Sequence, residues 1–171
     1  LKKKIIFITL IILIGFFAVS NFFQFRETLN FHRQIAELKE SQYTDNELNR
    51  NEDVSVYLND HRTGFKYGKN QKITVNVKNN SKNTTYYIGG DELEIYYKGV
   101  WRRLIFMQGR ALPALILKPS AEHSIDKIDI DKAPYSAPLK KGRYRLVVQA
   151  REENKGRITD KYELSVEFNI Q

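Results

Sequence analysis

The chain contains no cysteine. That excludes disulfides, thiol catalysis, cysteine-ligated zinc and attachment through a lipidated cysteine, and it suits an exported protein that needs no oxidative staple. Proline is scarce, four residues that all fall between Pro113 and Pro138, and there is a single Met and a single Trp. The three histidines, His32, His61 and His123, stand apart from one another, with no carboxylate or serine motif at metal or triad spacing. No Gly-x-Ser-x-Gly frame, Walker loop or dinucleotide glycine pattern is present, so the motif-borne hydrolase and nucleotide classes receive no support and no cofactor is expected. Helix-turn-helix, zinc-finger and RNA-binding signatures are missing too, and basic residues are scattered through strand-like segments, which argues against a nucleic-acid partner.

Long hydrophobic runs are also few, but one is present. Ile5 to Phe23 follows Lys2-Lys3-Lys4 without an ionisable interruption. Nineteen residues at ~1.5 Å each span roughly 28 Å, close to the ~30 Å hydrocarbon core of a bilayer. The lysines before the run predict an inside amino terminus and an outside carboxyl terminus. The expectation is a basic tip and transmembrane anchor over 1–23, with the competing reading of a cleaved secretory signal left open by Ala18-Val19-Ser20. Phe22, Phe23 and Phe25 suit the interfacial belt of an anchor.

Helical spacing of Phe25, Leu29, His32 and Ala36 continues beyond the run and predicts a juxtamembrane helix over 24–42. The stretch 43–51 is polar and aperiodic, and reads as a linker. From residue 52 the period becomes two. Val54, Val56 and Leu58 alternate with Ser55, Tyr57 and Asn59; Ile73, Val75 and Val77 with Thr74, Asn76 and Lys78; Leu93, Ile95 and Tyr97 with Glu94, Tyr96 and Lys98. Gly89-Gly90 looks like a break, and Gly99 supplies a tight turn before the strand that carries Trp101 and Leu104. The final pair sets Tyr144, Leu146 and Val148 against Leu164, Val166, Phe168 and Ile170. Seven or eight short strands predict an all-β antiparallel sandwich over 52–171.

The segment Leu139-Lys140-Lys141-Gly142-Arg143-Tyr144-Arg145-Leu146 resembles the bacterial immunoglobulin-like domains of Gram-positive cell-envelope proteins. The framework of Tyr67-Gly68, Ile73-Thr74-Val75-Asn76-Val77-Lys78-Asn79-Asn80-Ser81, Gly99-Val100-Trp101 and Leu117-Lys118-Pro119 is similar to theirs as well. The likeness covers roughly Asp53 to the end. It implies a two-sheet Greek-key sandwich in an exported protein, carries over no catalytic residue, and, with lipoprotein attachment unavailable here, leaves the helix as the means of anchoring. Independently of that likeness, Gly142 two residues before Tyr144 predicts a tyrosine corner, in which the ring buries and the hydroxyl returns to nearby backbone.

Candidate sites are limited. The net charge is +8; from Asn51 onward 21 Lys and Arg against 15 Asp and Glu leave +6, a modest surplus suited to a solubilising surface or to weak attraction for anionic envelope polymers and lipid headgroups. Trp101, Arg102 and Arg103, with Lys140, Lys141 and Arg143, form a basic aromatic patch if the strands bring them together. Glu122, Asp126, Asp129 and Asp131 offer oxygens to calcium, or simply face water in alternation with Ile125, Ile128 and Ile130. The resulting expectation is a non-catalytic binding or structural module held at a membrane, its domain outside the cell, facing an envelope protein or anionic wall polymer. The alternative is a proteinase inhibitor or sensor accessory working through an exposed loop at Met107 to Pro113.

Overall fold

A computed structural model describes residues 2–59, 63–67, 71–106, 115–131, 135–154 and 157–171, with the side chains of 2–8, 10, 11, 126, 127 and 154 outside that description. The chain divides into two compact units, Leu1–Glu37 and Leu38–Gln171. The first is one uninterrupted helix, α1 (Lys2–Glu37, 36 residues). Among the described residues no helix is long and apolar enough to cross a membrane. The run proposed from sequence to do so begins at Ile5, and most side chains of its first turns lie outside the described set.

The second unit is built from β1 (Val54–Leu58), β2 (Gly64–Phe65), β3 (Lys72–Asn79), β4 (Thr85–Tyr97), β5 (Val100–Leu104), β6 (Leu115–Leu117), β7 (Glu122–Asp129), β8 (Gly142–Asn154) and β9 (Arg157–Ile170). One sheet has the order β1-β3-β7, and the other β2-β9-β8-β4-β5, with β6 also paired to β4. Sequence-distant neighbours such as β3 with β7 and β4 with β8 are antiparallel. β2, which the alternation of residues did not announce, runs parallel to the end of β9. The alternating apolar residues Ile73, Val75, Val77, Ile95, Tyr144, Leu146, Val148, Leu164 and Phe168 are all buried and form the core. The all-β sandwich predicted from the period of two is therefore the fold.

Three boundaries differ from the sequence reading. The helix ends at Glu37 rather than near Gln42, because the backbone beyond it pairs with β5: Arg103 N–H donates to Lys39 O at 2.9 Å and Ser41 N–H to Trp101 O at 2.8 Å. Residues 43–51 are not a free linker. Leu48 is buried, Asn49 N–H donates to Glu163 O at 2.8 Å, and Asn51 Oδ1 accepts from the N–H groups of Asp53 and Val54. Finally, Gly89-Gly90 does not break β4. The register against β8 shifts between Gly89 and Glu92, a bulge that Gly90 absorbs at φ 66°.

Turns follow their chemistry. Lys98 and Gly99, at φ 50° and 91°, close the β4–β5 hairpin with the two consecutive positive φ values that match strand twist. At the end of β3, buried Asn79 clamps three carbonyls, its Nδ2 reaching Thr84 O (2.7 Å), Leu117 O (3.2 Å) and Lys118 O (3.0 Å), while its Oδ1 accepts from Ser81 N–H.

The tyrosine corner is present. Tyr144 is fully buried and stacks on Phe168 at 5.6 Å; its hydroxyl donates to Lys140 O at 2.7 Å and accepts from Lys140 N–H at 3.0 Å. Burial pushes its phenol well above the ordinary tyrosine value, so it stays a donor throughout the physiological range. Tyr144→Phe leaves both Lys140 backbone groups without that partner, an expected loss of about 1–3 kcal/mol in urea unfolding. An unchanged midpoint would show that the corner does not hold the strand entry.

Candidate functional site

In β4 and β8 the residues that point away from the core belong to the outer face of the larger sheet. Outer faces of antiparallel sheets commonly meet water. Here Glu94, Arg145 and Val147 are each 0% exposed. Arg145 explains how. Its Nε donates to Glu94 Oε2 at 2.5 Å across the β4–β8 ladder, where the two residues are direct partners. Its Nη1 donates to Asp45 Oδ1 at 2.6 Å, and its Nη2 to Tyr43 O at 3.1 Å and Ser41 Oγ at 3.2 Å. The guanidinium also lies over the Trp101 ring at 4.4 Å. Residues 38–51 thus form a strap over this face, tied by charge-assisted bonds to one buried cation.

The strap also covers the outer edge of β5. Beside the two backbone bonds to Lys39 and Ser41, Arg102 Nη1 donates to Leu38 O at 2.6 Å and its Nη2 meets Glu40 at 3.3 Å. An otherwise open sheet edge is a template for foreign strands, and here it is closed from within the chain.

The six residues singled out from sequence therefore separate into two groups. Arg102 is committed to the strap, and Arg103 is paired with Glu92 at 2.8 Å. Burial lifts the Glu92 carboxyl above its ordinary value, with Arg103 pulling it back down. Trp101 is 7% exposed, but it fills the space beneath the strap rather than the core between the sheets. Arg143 is different. Its side chain is 46% exposed, bound to Glu167 at 2.7 Å, and stacked 5.1 Å from Tyr96 and 5.2 Å from Trp101. Tyr96 is itself 39% exposed and meets Trp101 edge-on at 5.1 Å. Lys141 is exposed at the entry to β8, beside Lys140, and Lys98 sits over Tyr97 at the β4–β5 turn. The structure keeps Arg143, Lys140 and Lys141 on one sheet end, adds Tyr96 and Lys98, and removes Arg102 and Arg103. Arg145 and Glu94 escaped the sequence reading because alternation assigns them, correctly, to the outer face, and nothing local reveals that a segment 100 residues upstream covers it.

Among the described residues the acidic side chains do not assemble a centre. Glu122 holds the Tyr57 hydroxyl, which pushes that phenol up to about 12, and Asp129 Oδ1 accepts from Asp131 N–H. Among the described residues no three His, Asp or Glu side chains gather to hold a metal; the Asp126 side chain lies outside that set. The Met107 to Pro113 loop considered for protease inhibition, and His61, also fall outside the described residues.

Removing one partner of a buried ion pair leaves an uncompensated charge, so Arg145→Ala and Glu94→Ala are each expected to cost about 3–5 kcal/mol in urea unfolding of the full chain in detergent. Asp45→Asn, at a side chain 74% exposed, is expected to cost less than about 1 kcal/mol. Equal effects at all three positions would contradict this ordering.

No curated protein matches the sequence. The crystal structure of a CARDB domain from Pyrococcus furiosus, in complex with di-metal ions, is similar over 69% of this chain and 85% of that one, at 14% identity and a TM-score of 0.33. The model of the family described as bacterial Ig-like domain matches residues 50–169, which span the sandwich and the end of the strap, and the chain belongs to that family.

Proposed function

We propose that this protein is a non-catalytic binding and structural module of a bacterial cell envelope, anchored by its amino-terminal helix with the Ig-like domain outside the membrane. The observation that carries the binding half of this reading is Arg143. It is half exposed and braced between Tyr96 and Trp101, so its geometry is fixed before any partner arrives. A pre-ordered guanidinium, held on one side by Glu167 and flanked by Lys98, Lys140 and Lys141, favours an anionic surface, whether a wall polymer or an acidic envelope protein. Support for the anchor comes from α1 itself. Ile12, Leu13, Ile14, Phe16, Phe17, Val19, Phe22 and Phe23 are all exposed. Adjacent helical positions point in different directions, so this sleeve is apolar on more than one side, and three lysines precede it.

Two measurements test the reading. Protease added outside sealed cells is expected to degrade the sandwich domain, and protection until lysis would reverse the orientation. For the surface, the probe is a glycerol phosphate oligomer titrated into the full chain in detergent. Replacing Lys140, Lys141 and Arg143 together by Ala is expected to weaken binding roughly tenfold, three exposed contacts of about 0.5 kcal/mol each. Higher salt should weaken it further. Arg103→Ala, on β5 away from the entry to β8 and outside the Tyr96–Trp101 stack, should leave binding unchanged. Loss in the Arg103 variant with none in the triple variant would refute the assignment.

A further inference from the structure

The strap and β9 enclose an open cavity of about 400 Å³, lined by Gln42, Tyr43, Glu47, Arg50, Lys161 and Tyr162, among others. It is separate from the Arg143 surface. Most of its charges and hydroxyls are already engaged. Lys161 pairs with Glu163 at 2.9 Å, and the Tyr162 hydroxyl lies 3.4 Å from Glu152. Two charges lie close enough to feel each other but make no direct ion pair. Glu47 accepts from the Thr44 N–H (3.0 Å) and hydroxyl (2.8 Å), both through Oε2, which orients the carboxylate without pairing its charge. Those bonds, and to a lesser extent the nearby Arg50 charge, hold it below the usual carboxylate range, so it remains ionised. Arg50 is fixed by its Nε to Asn46 O at 2.7 Å, which occupies the inner nitrogen of the guanidinium. No ion pair among the described residues includes Glu47 or Arg50.

One cavity thus presents a fixed anion and a fixed cation three residues apart in sequence, between two tyrosines. We propose that this cavity binds a small zwitterion of the amino-acid or short-peptide class, its ammonium group meeting Glu47 and its carboxylate meeting Arg50. A neutral sugar uses neither charge, and a simple anion meets Glu47 as a repulsive neighbour. A volume of this size is in the range of small-ligand sites and accommodates a dipeptide. Because both charges are solvent-accessible, the site is weak, and its selectivity lies in requiring two opposite charges on one ligand.

The test uses the full chain in detergent with L-alanyl-L-alanine as the probe, followed by NMR chemical shifts of residues 42–50 and 161–163. Binding is expected at millimolar concentration, and blocking either end of the dipeptide, by acetylation or amidation, is expected to weaken it roughly tenfold. Glu47→Gln and Arg50→Gln are each expected to weaken it comparably while the melting temperature stays unchanged. Four results overturn the proposal: blocked dipeptides bind as well as the free one; both variants bind normally; glucose or inorganic phosphate shifts the same resonances as strongly; or the dipeptide shifts nothing at tens of millimolar. None of these bears on the glycerol phosphate titration, so the two readings fail separately.

Discussion

The second unit is organised around a guanidinium with no access to solvent on what would otherwise be a wet sheet face. Burying an arginine is costly unless every donor finds an acceptor, and the β8 position of Arg145 supplies only Glu94 from within the sheet. The remaining acceptors, Asp45, Tyr43 O and Ser41 Oγ, come from the strap. Strap and sheet are therefore specified together. Without the strap Arg145 and Glu94 are a partly hydrated pair beside a half-covered Trp101, and without Arg145 the polar segment 41–47 has one apolar side chain nearby, Leu48, to keep it in place. This also explains why such a hydrophilic segment is ordered. Its stability comes from charge-assisted bonds and edge-strand pairing rather than from apolar area.

Ig-like sandwiches often lock their two sheets with a disulfide against a tryptophan. This chain has no cysteine, and its tryptophan lies on the other side of the sheet. The locking functions are divided among three polar devices. Tyr144 fixes the entry to β8 through Lys140, Asn79 gathers the carbonyls of the turn after β3 and the end of β6, and Arg145 secures the outer layer. Each is a side chain whose donors reach backbone or carboxylate across a gap that secondary structure does not close. Such groups stabilise less through the bonds gained than through the penalty of leaving them unmade, which ties them to one arrangement of neighbours.

How much of this the sequence reveals depends on the range of the interaction. Strand periods, the Lys98-Gly99 turn and the Gly142-to-Tyr144 corner are local and were legible, because steric limits and side-chain alternation act over a few residues. The Gly89-Gly90 bulge was half legible: the glycines mark an irregularity, but only pairing with β8 shows that the strand continues through it. The strap was not legible. It lacks periodicity, and its partners are Trp101, Arg103, Arg145 and Glu163, all more than fifty residues away. For the same reason a basic residue could not be sorted by type alone. Arg102 and Arg103 lie on β5, and Arg143 and Arg145 on β8 across the intervening β4; all four meet a carboxylate, yet their side-chain exposure runs from 1% at Arg145 to 46% at Arg143.

That sorting has a consequence for how a net positive domain meets a partner. A surplus of +6 from Asn51 onward, spread over the sandwich, would give only a diffuse field, largely screened beyond a Debye length of ~8 Å at physiological salt. Pairing Arg102 with Glu40, Arg103 with Glu92 and Arg145 with Glu94 and Asp45 cancels charge across β5, β4 and β8. At the β4–β5 turn and the entry to β8, Lys98, Lys141 and Arg143 are exposed, and aromatic rings hold the Arg143 guanidinium in place. Selectivity at that end then rests less on the size of the net charge than on the rigidity of one half-exposed guanidinium, held by Glu167 and stacked between Tyr96 and Trp101.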